Sequence, residues 1–103
     1  MNKEVKEKWI AALRSGNYKQ CKGMLRSSDG FCCLGVLCDV LYPEDWRFNS
    51  WNWFHNDYLR LLPSKVVKGA GLFGHNVEIT DLIWENDEGK TFDEIADTIE
   101  KIF

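Results

Sequence analysis

Four cysteines and two histidines are the residues of this chain best suited to chemistry, and their spacing decides what chemistry is open to them. Cys21, Cys32, Cys33 and Cys38 are separated by ten, zero and four residues. Structural zinc sites close part of their tetrahedron with a short knuckle of the Cys-x-x-Cys type, and none is present here. Cys38 falls where an apolar helix is expected, a position in which a free cysteine acts as a small core residue. No metal site is therefore expected, and the thiols are expected to be free and reduced. A cysteine nucleophile would need a histidine to hold it as thiolate, with only His55 and His75 to choose from. Cys32 and Cys33, at the start of a predicted helix, would feel its N-terminal field, which leaves a small thiol enzyme as the weakest of three readings. The carboxylate pairs Asp87-Glu88 and Asp93-Glu94 sit in a polar turn and at a helix start, where acids complement the helix dipole. No phosphate-loop, zincin or serine-elbow motif occurs, and no cofactor is expected.

Two segments remain with binding potential. Arg14 to Gly23 carries Arg14, Asn17, Tyr18, Lys19 and Lys22 around two glycines, a composition able to cradle an anion with cations and backbone N–H groups. A nucleotide is the ligand that such a loop would take. Pro43 to Leu62 is richer still, with Trp46, Phe48, Trp51, Trp53, Phe54 and Tyr58 interleaved with Arg47, Asn49 and other polar residues. Exposed Trp, Tyr and Arg are the types enriched in binding hot spots. Trp46, Arg47, Asn49, Trp51 and Trp53 are accordingly the candidate partner-binding residues. Alternation along extended chain places Trp51 and Trp53 on one side, and Trp46 is expected to be the indole left in solvent.

These segments must be held by a fold that 103 residues can build, which is one domain spanning residues 1–103. Hydrophobic residues make up 45% and charged residues 28%, ordinary for a globular chain and inconsistent with disorder. A net charge of −3 argues against general nucleic-acid binding through phosphate neutralisation. The charged stretch Met1 to Lys8 is followed by no apolar signal-peptide core, and no run approaches the length of a membrane span. Charge is polarised: Met1–Arg26 carries a net +5 and Glu78–Phe103 a net −7. Two helices attracting each other would account for this, as would an acidic end that steers a basic partner.

Apolar periodicity predicts a first helix from about Lys3 to Ser15, with Val5, Trp9 and Leu13 in one stripe and Gly16 as its cap. Tyr18 to Cys33 reads as a β-hairpin or a structured loop. A second, buried helix runs from Cys33 to Tyr42, ahead of Pro43, with Gly35 tolerated for close backbone packing and Asp39 in need of a partner. A small hairpin turning at Asn49-Ser50 follows, then a short helix from Ser64 to Ala70 and another ending near Asn86. Thr91 and Glu94 form a capping box that opens a last helix with Phe92, Ile95, Ala96 and Ile99 inward. The expectation is a compact α+β domain, mainly helical, with four to five helices and one or two small hairpins.

The stretches Leu13-Arg14-Ser15-Gly16-Asn17-Tyr18-Lys19-Gln20 and Phe31-Cys32-Cys33-Leu34-Gly35-Val36-Leu37-Cys38-Asp39 resemble a group of small proteins of tailed phages and prophages. The likeness continues in Leu62 to Val67, in Gly71-Leu72 and in Asn86 to Asp97, and it leaves out the tryptophan-rich stretch. No catalytic residue carries over from that group. The resemblance implies an accessory protein working in the cytoplasm of an infected bacterial cell, where it modulates or inhibits a bacterial host or defence protein by binding it. The nucleotide-sequestering loop is the alternative.

Overall fold

The computed structural model describes all of residues 1–103. Helix α1 spans Lys3–Arg14, and Asn2 caps it by accepting a hydrogen bond from Val5 N at 3.0 Å. Helix α2 spans Cys33–Leu41 and stops ahead of Pro43, as expected. A single 3₁₀ turn, Pro43–Asp45, leads into strand β1 (Trp46–Asn49), which pairs antiparallel with β2 (Asn52–His55). Helices α3 (Ser64–Ala70), α4 (Asn76–Asp87) and α5 (Phe92–Ile102) complete the order. The domain is thus α+β and mostly helical, with five helices and one two-stranded hairpin. No helix is long and apolar enough to cross a membrane.

One core holds the fold together. Trp9 and Leu13 of α1, Leu34 and Leu37 of α2, and Phe92, Ile95 and Ile99 of α5 are all buried in it; Leu41 packs at its edge. Trp9 also donates its indole N–H to the Cys33 carbonyl at 2.9 Å, so its polar handle is satisfied inside. The capping box at α5 forms as its sequence requires: Thr91 Oγ1 accepts from Glu94 N, and Thr91 N donates to Glu94 Oε1. Part of the charge polarity is attraction between helices. Arg14 of α1 meets Asp97 at 2.6 Å and lies 3.7 Å from both Asp93 and Glu100 of α5. These pairs are solvent-exposed and contribute little beyond orientation; the apolar stripe between the helices supplies the stability.

Residues 17–31 form a structured loop, not a hairpin, with isolated bridges at Gln20–Phe31 and Arg26–Phe31 and a turn in which Ser27 N donates to Gly30 O. Some of its backbone groups pair within the loop, and others are satisfied by distant partners that no local pattern announces. Leu25 N donates to Leu59 O, and Leu25 O accepts from Cys32 N. Buried Asn86 of α4 works as a node for the same loop. Its Oδ1 accepts from Gln20 Nε2 at 2.9 Å and from Cys33 N at 3.2 Å, while its Nδ2 donates to Cys21 O at 2.8 Å. Cys33 N lies in the first turn of α2 and has no partner within the helix, so Asn86 satisfies a group that burial would otherwise leave open.

Candidate functional site

The tryptophan-rich stretch is built as a hairpin whose aromatic face runs from core to solvent. Register pairs Trp46 with His55 and Phe48 with Trp53, so all four side chains share one face. At the inner end Trp46 is 7% exposed and His55 fully buried, with ring centroids 4.8 Å apart. This corrects the expectation that Trp46 is the indole left in solvent. The reason lies seven residues upstream: Asp39, the lone charge of α2, accepts from Trp46 Nε1 at 3.0 Å and from Tyr18 Oη at 2.6 Å. A half-buried carboxylate needs donors, and two ring-bearing residues bring them with enough apolar surface to seal the site.

Further out, Phe48 and Trp53 stack in a tilted pair with centroids 5.3 Å apart, Phe48 well exposed. Arg26, from the loop before α2, lays its guanidinium 3.7 Å from the Trp53 centroid and within 4.8 and 5.3 Å of Phe31 and Trp46. Neither Arg26 nor Arg47 takes part in an ion pair. The turn falls one residue later than expected, at Ser50-Trp51, with φ of 51° and 78°. Trp51 is therefore not on the strand face with Trp53 but at the tip, 91% exposed. A two-residue hairpin turn of this hand favours Asn-Gly or Gly-Gly, because bulky L-residues at positive φ are strained. Asn49 and Asn52 flank the tip on the opposite face, where Arg47 and Phe54 also point.

The cationic loop is taken apart by the fold. Arg14 is engaged by the three carboxylates of α5, and Tyr18 by Asp39. Asn17, Lys19 and Lys22 stay exposed. The depression of about 250 Å³ beside Arg14 and Tyr18 is also lined by Asp93, so an approaching phosphate would meet a carboxylate already holding the cation. That geometry does not favour an anion.

The four thiols are free, and three are buried. Burial pushes Cys32 from its ordinary 9.0 up to about 12, and Cys33 well above that ordinary value. Cys32 Sγ instead serves as the N-cap of α2, accepting from Gly35 N at 3.4 Å. His55 rests on the Tyr42 carbonyl and His75 beside Glu78, so neither histidine hydrogen-bonds a thiol. No group of three or more His, Cys, Asp or Glu residues is arranged to share a metal ion.

A pH prediction follows from these groups. Tyr18, raised by burial and then by Asp39 from 10.0 to about 12, behaves as the thiols do. Each keeps its proton more tightly folded than unfolded, so stability is level below the ordinary values. It falls as pH climbs from about 9 toward 12, where the unfolded chain releases protons first. Urea midpoints at pH 7 and pH 10 check this: the alkaline midpoint is expected to be lower, and an equal or higher one contradicts the burial described.

Sequence reasoning places Ile79, Leu82 and Ile83 on the apolar face of α4 but misses the exposed apolar residues around it. Leu61 is 61% exposed, Val77 72% and Trp84 64%. The available signal was the seven-residue spacing of Val77 and Trp84, which puts both on one line of a helix whose core line is Ile79, Leu82 and Asn86. No curated protein and no solved structure matches the chain. A family model does, over residues 1–103, and the chain belongs to that family, described as a domain of unknown function (DUF8296).

Proposed function

We propose that the protein is a phage-encoded accessory protein that binds a bacterial host or defence protein in the cytoplasm of the infected cell and modulates it without chemistry of its own. The observation that carries the binding reading is Trp51: a tryptophan held almost wholly in water, at a turn position where its backbone is strained. Solvation and local conformation both disfavour it there, and strain of this kind is retained where a function uses it. Below the tip, Phe48, Trp53 and the Arg26 guanidinium form a ledge on one face of the hairpin, and Arg47 points from β1 to the opposite face. Aromatic anchors beside cations that carry no internal counter-charge suit a partner offering a pocket rimmed with acceptor groups. The phage and host part of the reading is supported by the motif resemblance described above.

Trp51→Ala is expected to weaken binding of a captured bacterial partner by about 30-fold, the effect of losing an anchor of about 2 kcal/mol. Stability moves the other way or not at all. Trp51→Gly, which suits positive φ, raises the unfolding free energy by about 1 kcal/mol. Calorimetric titration of the partner and thermal melts of the three proteins test this together. Undiminished affinity in a Trp51→Ala, Phe48→Ala double variant would show that the hairpin is not the contact.

A further inference from the structure

A second surface lies along α4 and shares no residue with the hairpin ledge. Two adjoining depressions, of about 360 and 250 Å³, have Leu61 and Ile83 as common lining residues. Met24 and Cys32 add apolar surface to the first, Leu62, Val67 and Ile79 to the second. Beyond them Val77 and Trp84 stand exposed, seven residues and so about 10 Å apart along the helix. An acid follows each of these four residues on: Asp81 after Val77, and Glu88 after Trp84. In a helix the i+4 residue is a lateral neighbour, so the acidic row flanks Val77 and Trp84 on the side away from the two depressions. Asp81 and Glu88 are exposed and take part in no ion pair, whereas Glu85 on the next line is neutralised by Lys90 at 2.9 Å. Asp87, which accepts from Gly23 N at 3.0 Å and takes part in no ion pair, lies at the edge of the larger depression with Arg60 as the cation among its lining residues.

We infer that this face docks an amphipathic helix with basic flanks, supplied by a protein partner. Its apolar side chains, spaced one or two turns apart, enter the depressions on either side of Leu61 and Ile83 and cover Trp84. A row of Lys or Arg on its other flank, across Val77 and Trp84, meets Asp81 and Glu88. The groove runs beside a helix and offers no open sheet edge, so a strand would leave its own backbone groups unpaired there. A nucleic acid is disfavoured by the same carboxylates. The assignment is independent of the hairpin reading, and the two together make the molecule a connector with an aromatic, cation-bearing end and an acid-rimmed groove.

The test uses the full chain, ¹⁵N-labelled, titrated with two synthetic amphipathic peptides of about 14 residues, long enough to be helical when bound. One is built from Leu and Lys, the other from Leu and Glu. The Leu/Lys peptide is expected to shift amide signals of residues 59–62 and 76–88 and to bind less tightly as salt is added. Affinity should fall at least about tenfold in an Asp81→Lys, Glu88→Lys double variant and in Trp84→Ala. These positions are on the surface, so folding is expected to be retained. Binding in Trp51→Ala should be unchanged, which separates this groove from the hairpin. The inference is overturned if the Leu/Glu peptide binds equally well, if the shifts map to residues 46–55, if the charge-reversed variant binds as before, or if no binding is seen.

Discussion

Trp46→Ala is expected to lower the unfolding free energy by about 3–5 kcal/mol, the cost of emptying a tryptophan site in a packed core. The ring is enclosed by Phe31 at 5.8 Å and His55 at 4.8 Å between centroids, so its removal leaves a hole that rigid neighbours do not fill. It also takes one of two donors from Asp39. Domains of this size are stable by about 5–15 kcal/mol, so the variant is expected to be partly unfolded at moderate temperature. Trp46→Phe separates the two contributions: most of the packing stays, and the lost hydrogen bond to a partly buried carboxylate costs about 1–3 kcal/mol. Urea titration of the three proteins reads both. A loss below about 1 kcal/mol in Trp46→Ala would mean that the ring is not part of the core.

Gly35→Ala sets two effects of opposite sign against each other. In an isolated helix the change would gain about 1 kcal/mol. Here the new methyl group would sit inside the contact distance of the Leu25 carbonyl oxygen, with the carbonyl carbon at 2.7 Å. The loop cannot withdraw, because Leu25 is pinned on both sides, donating to Leu59 O at 2.9 Å and accepting from Cys32 N at 3.0 Å. Overpacking against backbone costs about 1–3 kcal/mol and more when nothing can move. A net loss of about 2 kcal/mol or more is expected by thermal or urea melting. A gain would show that the loop moves freely over α2.

Where local rules alone decide, the sequence is readable. Helix α5 follows from its capping box and its inward Phe92, Ile95, Ala96 and Ile99, and α2 ends where Pro43 makes it end. Gly35 was legible as a point of close approach, though not what approaches it. The misread positions are those settled by partners far along the chain. Whether Trp46 faces in or out depends on Asp39 and Phe31, which an alternation pattern does not contain. The hairpin turn slipped by one residue because Ser50-Trp51 carries no glycine to mark the positive φ. The loop of residues 17–31 has no periodicity, since Asn86 and Leu59 satisfy some of its polar groups from elsewhere. Of the candidate site, the composition was visible and the geometry was not. Trp51 was named on the wrong element, and the α4 groove depends on Leu61 and Ile83 meeting across twenty-two residues of chain.

The pairing of α1 with α5 has a consequence for biogenesis. Lys6 donates to the Glu100 carbonyl across 94 residues, and the ring of Phe103 lies 6.4 Å from that of Trp9. While the chain is on the ribosome, α1 and α2 are made early, but the surface that α5 will cover stays bare until residues 92–102 clear the exit tunnel. Until then the buried faces of Trp9, Leu13, Leu34 and Leu37 lack the Phe92, Ile95 and Ile99 side chains that share their core. Contacts between segments so far apart in sequence are slow to form, and apolar surface left open in the meantime is prone to wrong associations.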